Sequence, residues 1–195
     1  MQTISQKFTF QEYLTYTDGS DTRYELVDGN LVPMSLGTGK HGNIIRCLVR
    51  QFEAAIAQAG QSWVALPALV GVRSPRGRRW DTSRIPDVTV LPLEQWAQLQ
   101  NREAVIALHE PPPILVIEVV SPSTALEDYR AKLAEYAVLD IAEYWIVDPL
   151  KATVTISSLQ NGLYDLTPFV GDDRILSFTF QDFVLTPNQI FLPTQ

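Results

Sequence analysis

A single cysteine, Cys47, in a chain of 195 residues excludes an internal disulfide and a cysteine-based metal centre. No run approaches the ~20 apolar residues of a membrane span, and the opening MQTISQKFTF lacks the apolar core of a secretory signal. Repeats, low-complexity tracts and obvious linkers are missing as well. These absences predict a soluble, cytoplasmic protein with no membrane role, built as one domain over 1–195 with a sizeable core. Net positive charge is also lacking: the formal charge of −7 argues against a general nucleic-acid binder. The distribution matters more than the sum. Five of the eleven arginines, Arg73, Arg76, Arg78, Arg79 and Arg84, fall in the stretch VRSPRGRRWDTSR.

The elements follow from periodicity and punctuation. FTFQEYLTY reads as a short helix with Thr9 as N-cap. RYELVDGNLVPM alternates about an Asp28-Gly29 turn and predicts a hairpin. From Lys40 to Ala59, Ile44, Ile45, Leu48, Phe52 and Ile56 recur at helical spacing until Gly60. SWVALPALVGV and RIPDVTVLP read as two strands joined by the arginine-rich SPRGRRW turn, and LEQWAQL as a short helix. After the strand ILVIEVV, Thr124 and Glu127 have capping-box spacing and open a helix to about Leu139. AEYWIVDP and ATVTISSL are strands about Asp148-Pro149, and GLYDLTPFV and FTFQDFVL are β-like. The order predicts an α/β fold, a mixed central sheet flanked by helices with extra strands in the last quarter.

One residue in ILVIEVVSP raises a chemical question. A strand this apolar is expected to be covered on both faces, yet Glu118 stands in its middle. An unpaired buried carboxylate costs several kcal/mol, so something must compensate it. Asp87 opens the β-branched run after Pro86. If the two strands are neighbours, Asp87 and Glu118 converge and repel unless a cation lies between them. Oxygen-only ligation by Asp and Glu suits Mg²⁺ or Mn²⁺. The plainer alternative is that each acid is separately paired with an arginine or peripheral.

Pro86-Asp87 followed by Glu118 looks like the PD-(D/E)XK nuclease pattern. Together with YELVDGNLVPM, the spaced Asp128, Lys132 and Tyr136, and EYWIVDP, the chain resembles the putative restriction endonuclease family of that superfamily. The resemblance implies a restriction endonuclease-like fold and Mg²⁺-dependent hydrolysis of DNA. It implies Asp87, Glu118 and the Val119 carbonyl as metal ligands, and Glu25 as an outer-shell or second-metal acid. Together with the need to cover sheet edges, it points to a homodimer. The superfamily places a lysine two residues after the second acid, where this chain has Val120. The resemblance implies that this lysine has migrated to the next helix, as Lys132. Lys132 lies roughly 90° from the centre of that helix's apolar stripe, so it either reaches Glu118 or forms a surface pair with Asp128.

Other residues admit two readings each. Glu25 is a site acid or an exposed hairpin residue. His41 faces a cleft or is a cap or surface residue, and Tyr136, Trp145 and Asp148 are read as core, core and turn. The five arginines either grip phosphates or balance acids of the same or a neighbouring subunit. Two rivals to the nuclease remain: a non-catalytic nucleic-acid-binding or assembly module, favoured by Val120, and a metal-dependent enzyme acting on a smaller phosphoester.

Overall fold

The structure, a computed structural model, describes residues 6–75 and 81–192. Arg76, Arg78 and Arg79 therefore lie outside the described residues. Helix α1 (Phe10–Leu14) opens on Thr9, which forms a full capping box with Glu12. Strands β1 (Tyr24–Val27) and β2 (Asn30–Pro33) form the expected hairpin. Asp28 and Gly29 both take left-handed φ angles (49° and 75°), the twist that a two-residue hairpin turn requires. Helix α2 (Gly39–Gln58) starts at the Thr38 cap and buries Ile44, Leu48, Phe52 and Ile56 along one stripe. Gly60 ends the segment at φ 62°.

The two β-rich runs that follow make four strands, not two. SWVALPALVGV divides into β3 (Trp63–Pro67) and β4 (Gly71–Ser74), and RIPDVTVLP supplies the end of β5 (Thr82–Arg84) and then β6 (Val88–Pro92). Each run changes sheet midway. Ala68, at φ 40°, breaks the first run, and Pro86, with no N–H to donate, interrupts the second. β4 and β5, on either side of the arginine-rich stretch, pair antiparallel in a smaller sheet.

Helix α3 (Leu93–Leu99) and β7 (Val105–Ile106) lead to β8 (Leu115–Val119). A π-helical turn (Glu127–Ala131) runs into α4 (Lys132–Ala137), and β9 (Glu143–Asp148), β10 (Thr153–Gln160) and β11 (Leu163–Val170) follow. The capping box expected at Thr124 does not form. Its hydroxyl instead accepts the Ser121 N–H at 3.1 Å, inside the turn that leaves β8. FTFQDFVL is irregular rather than a strand, because Phe180 and Phe183 turn into the core about Phe52; α5 (Pro187–Phe191) closes the described chain.

The mixed sheet expected as one central layer is two mixed sheets. Their orders are β2-β1-β5-β4-β7 and β11-β10-β9-β8-β6-β3, with β4-β7 and β8-β9 parallel. The larger sheet is covered on both faces, which explains the continuous apolar run of β8. Leu115, Ile117 and Val119 pack with the α2 stripe, while Val116 and Val120 pack with Tyr136 of α4 and Val72 of the smaller sheet. Alternation places Glu118 on this second face. Among the described residues, no helix is long and apolar enough to cross a membrane.

Candidate active site

Because β8 and β9 are parallel, the chain between them must cross back over the sheet, and it does so as the π turn and α4. That crossover compensates Glu118. The Lys132 ammonium lies 2.9 Å from Glu118 Oε2, and the Tyr136 hydroxyl donates to Oε1 at 2.7 Å. Both partners project from α4, and all three residues are buried. Lys132 thus reaches Glu118, and it also makes the local pair: Asp128 Oδ1 is 2.8 Å from the same ammonium. Both contacts are charge pairs, and Asp128 Oδ2 has no hydrogen-bond partner among the described residues. Val120, where the pattern has its lysine, is core.

Asp87 approaches from the start of β6, the neighbour of β8. The Val119 N–H donates to Asp87 Oδ2 at 2.7 Å, and His41 Nε2 is 3.1 Å from Oδ1. In an extended strand a residue's N–H and C=O point to the same side, so the Val119 carbonyl also belongs to the Asp87 side of β8. Gly37 makes room for the histidine: a Cβ there would come within 2.9 Å of the ring. The hydrogen bond to Asp87 raises the His41 pKa, against burial and with help from the charges of Asp87 and Asp128.

The electrostatics are those of crowded acids. Burial pushes the Glu118 carboxyl up to about 8; Lys132 opposes the rise, while Asp87, Asp128 and Glu25 reinforce it. Burial works against the Lys132 charge, but Glu118, Asp128 and Glu25 outweigh it and raise its pKa. Negative charge therefore exceeds what one lysine neutralises.

Glu25 is neither an exposed hairpin residue nor a partner of Asp87. Its Oε1 accepts the Ile85 N–H at 2.9 Å and its Oε2 takes Arg84 Nη1 at 3.2 Å. Arg84 also grips Glu135 of α4, through Nε at 2.8 Å and Nη2 at 3.3 Å. Assigning Arg84 to phosphate is corrected by this: its side chain is 5% exposed and clasped between two acids. Arg73 likewise pairs with Asp81, its guanidinium 4.0 Å above the Phe10 ring. Both arginines take the acid-balancing reading.

Three residues carry more than their sequence reading. The spacing of Asp128 from Lys132 is visible in the sequence, but its burial is not. Glu135 carries no signal without its distant partner Arg84. Tyr136 is core, as expected, and also binds Glu118.

A family described as "Uma2: Putative restriction endonuclease" matches residues 10–188. The chain belongs to the Uma2 family. Among solved structures, this Uma2 chain is similar to a protein described as a putative nuclease belonging to DUF820 from Anabaena variabilis ATCC 29413. The identity is 19% and the TM-score 0.74, over 94% of this chain and 97% of that one, a likeness of fold. No curated protein matches.

The residues present fit a hard divalent cation in their chemistry. Asp87 and the carbonyl side of Val119 lie together, and the neighbouring Glu118 is a buried acid pushed upward by burial and then by the charges of Asp87, Asp128 and Glu25. Among the described residues, no three His, Cys, Asp or Glu side chains gather as a ready metal cage. Mg²⁺ needs none, since it keeps several waters and binds through one or two carboxylates plus substrate oxygens.

Proposed function

We propose that this protein is a Mg²⁺- or Mn²⁺-dependent endonuclease that hydrolyses DNA phosphodiester bonds. The observation that carries the reading is the Lys132 ammonium, delivered by the crossover helix to within 2.9 Å of Glu118. Acids that can hold a cation, with a lysine beside them to offset phosphate charge, suit metal-assisted attack of water on a phosphodiester. Asp87, Glu118 and the Val119 carbonyl would hold the cation, which when bound lowers the pKa of a coordinated water and offsets phosphate charge.

The chain's own residues do the rest. Lys132 donates to the attacking water or to a phosphate oxygen, and its neighbouring acids keep it charged for that task. Tyr136 fixes the Glu118 rotamer, leaving Oε2 for Lys132 or the cation. His41 and the Val119 N–H orient Asp87. Glu25 acts from outside the ligand set, through Arg84 and the Ile85 amide. Arg76, Arg78 and Arg79 are the remaining candidates for phosphate contact. We also propose a homodimer, whose light-scattering mass would be twice 21.9 kDa.

A cleavage assay on supercoiled plasmid and single-stranded DNA, with Mg²⁺ or Mn²⁺ against a chelator, tests the reading. Nicking or linearisation only with the cation supports it. Cleavage of neither DNA points to an inactive module, and strong competition by mononucleotides points to a smaller phosphoester.

A further inference from the structure

The Lys132 ammonium is shared by two buried carboxylates, Glu118 Oε2 at 2.9 Å and Asp128 Oδ1 at 2.8 Å. Asp128 is 1% exposed, and its Oδ2 has no hydrogen-bond partner among the described residues. Its backbone is anchored on both sides. The Tyr144 hydroxyl donates to its carbonyl at 3.0 Å, and its N–H donates to the Thr124 carbonyl at 2.9 Å. It sits in the π turn, a geometry rare in helices and concentrated at functional sites. A buried carboxylate with an unused oxygen is costly. As a mere support for Lys132 it would be redundant, since Glu118 already pairs with that ammonium.

The redundancy disappears once Glu118 is needed elsewhere. A divalent cation at Glu118 competes with the ammonium for the same carboxylate and repels it. Without a second acid in contact, the buried ammonium would lose its direct ion-pair partner as the cation entered. We infer that Asp128 is a positioning residue that receives Lys132 when a cation takes Glu118. The ammonium pivots from the Glu118–Asp128 bridge onto the two oxygens of Asp128 and stays, charged, beside the cation. Oδ2 is the acceptor held in reserve for that state. This rests on the cation reading of Asp87 and Glu118, and it makes Asp128 a partner of the lysine, not a ligand of the metal.

Calorimetric titration with Mn²⁺ alone separates the possibilities without reference to cleavage. In Asp128→Asn, Mn²⁺ must take from Lys132 the one carboxylate still in contact with it among the described residues, so its affinity falls about tenfold or more. Adding Lys132→Met to that variant removes the competing ammonium and restores most of the affinity. Asp128→Glu, which keeps the countercharge, binds Mn²⁺ more tightly than Asp128→Asn and shows whether the turn tolerates substitution. A double variant as weak as Asp128→Asn would make Asp128 a metal ligand and overturn the inference. So would an Asp128→Asn affinity equal to that of the unsubstituted protein. If the unsubstituted protein binds no Mn²⁺ at millimolar concentration, the cation reading itself falls and this inference with it.

Discussion

Glu118 and Lys132 form a buried pair whose members need each other in the metal-free protein. Removing one partner of such a pair leaves the other uncompensated, at about 3–5 kcal/mol. Lys132→Met is less damaging than that figure, because Glu118 can take up a proton; burial already pushes its carboxyl up to about 8. The variant is therefore expected to fold, to keep cation binding, and to cleave about a hundredfold or more slowly, the scale of removing one electrostatic or proton-handling group. Single-turnover rates at saturating cation check this. The raised Glu118 pKa also has a signed consequence for stability. A carboxyl that holds its proton more tightly when folded stabilises fully below its unfolded value of 4.5, and that contribution drains away as pH rises toward about 8. His41, also raised, acts in the same direction above its unfolded value of 6.5. Thermal melts of the cation-free protein should therefore fall between pH 5 and 8, with a shallower fall in Glu118→Gln. Identical slopes would remove Glu118 as the cause. At this scale the sequence is informative about chemistry and silent about partners. A lone acid in an apolar strand demands compensation, but nothing in the spacing names Tyr136 as a donor to it or pairs Arg84 with Glu135.

At the level of elements, periodicity locates the long pieces and misses the switches between sheets. The α2 stripe, the Asp28-Gly29 hairpin and the apolar β8 are local patterns with local causes, and all three are where the sequence places them. The division of two β-rich runs among four strands is not local. It depends on Ala68 at positive φ and on pairing between β5 and β1, which lie far apart in the chain. The π turn is equally hidden, since its residues are ordinary helix formers. Arg84 is the clasp between these layers, tying Glu25 of the smaller sheet to Glu135 of α4. Arg84→Met removes the cation shared by buried Glu135 and partly buried Glu25 and is expected to cost about 3–5 kcal/mol. Urea denaturation measures this as a fall in midpoint at unchanged slope. A change below about 1 kcal/mol, the range of exposed ion pairs, would contradict the clasp.

For the whole molecule, a net charge of −7 sets the terms on which a polyanion can be approached. With Arg73 and Arg84 committed internally, the proposed phosphate contact is left to Arg76, Arg78 and Arg79 of the cluster. Reversing those three charges should weaken duplex binding and flatten its salt dependence, by about 0.9 in the log–log slope for each phosphate that is no longer neutralised. A binding titration across salt concentrations checks it, and an unchanged slope would assign that stretch to another surface. The function turns on whether the acids at the junction of β6, β8 and α4 run cation-dependent hydrolysis. The most direct measurement compares plasmid cleavage by the unsubstituted protein and by Glu118→Gln, each with Mg²⁺ and with a chelator. Glutamine keeps the size of Glu118 and an acceptor for Tyr136, so the fold should hold while the cation loses a charged ligand. Cation-dependent cleavage that vanishes in Glu118→Gln is the expected outcome; equal cleavage by both proteins, or cleavage indifferent to the chelator, would contradict it.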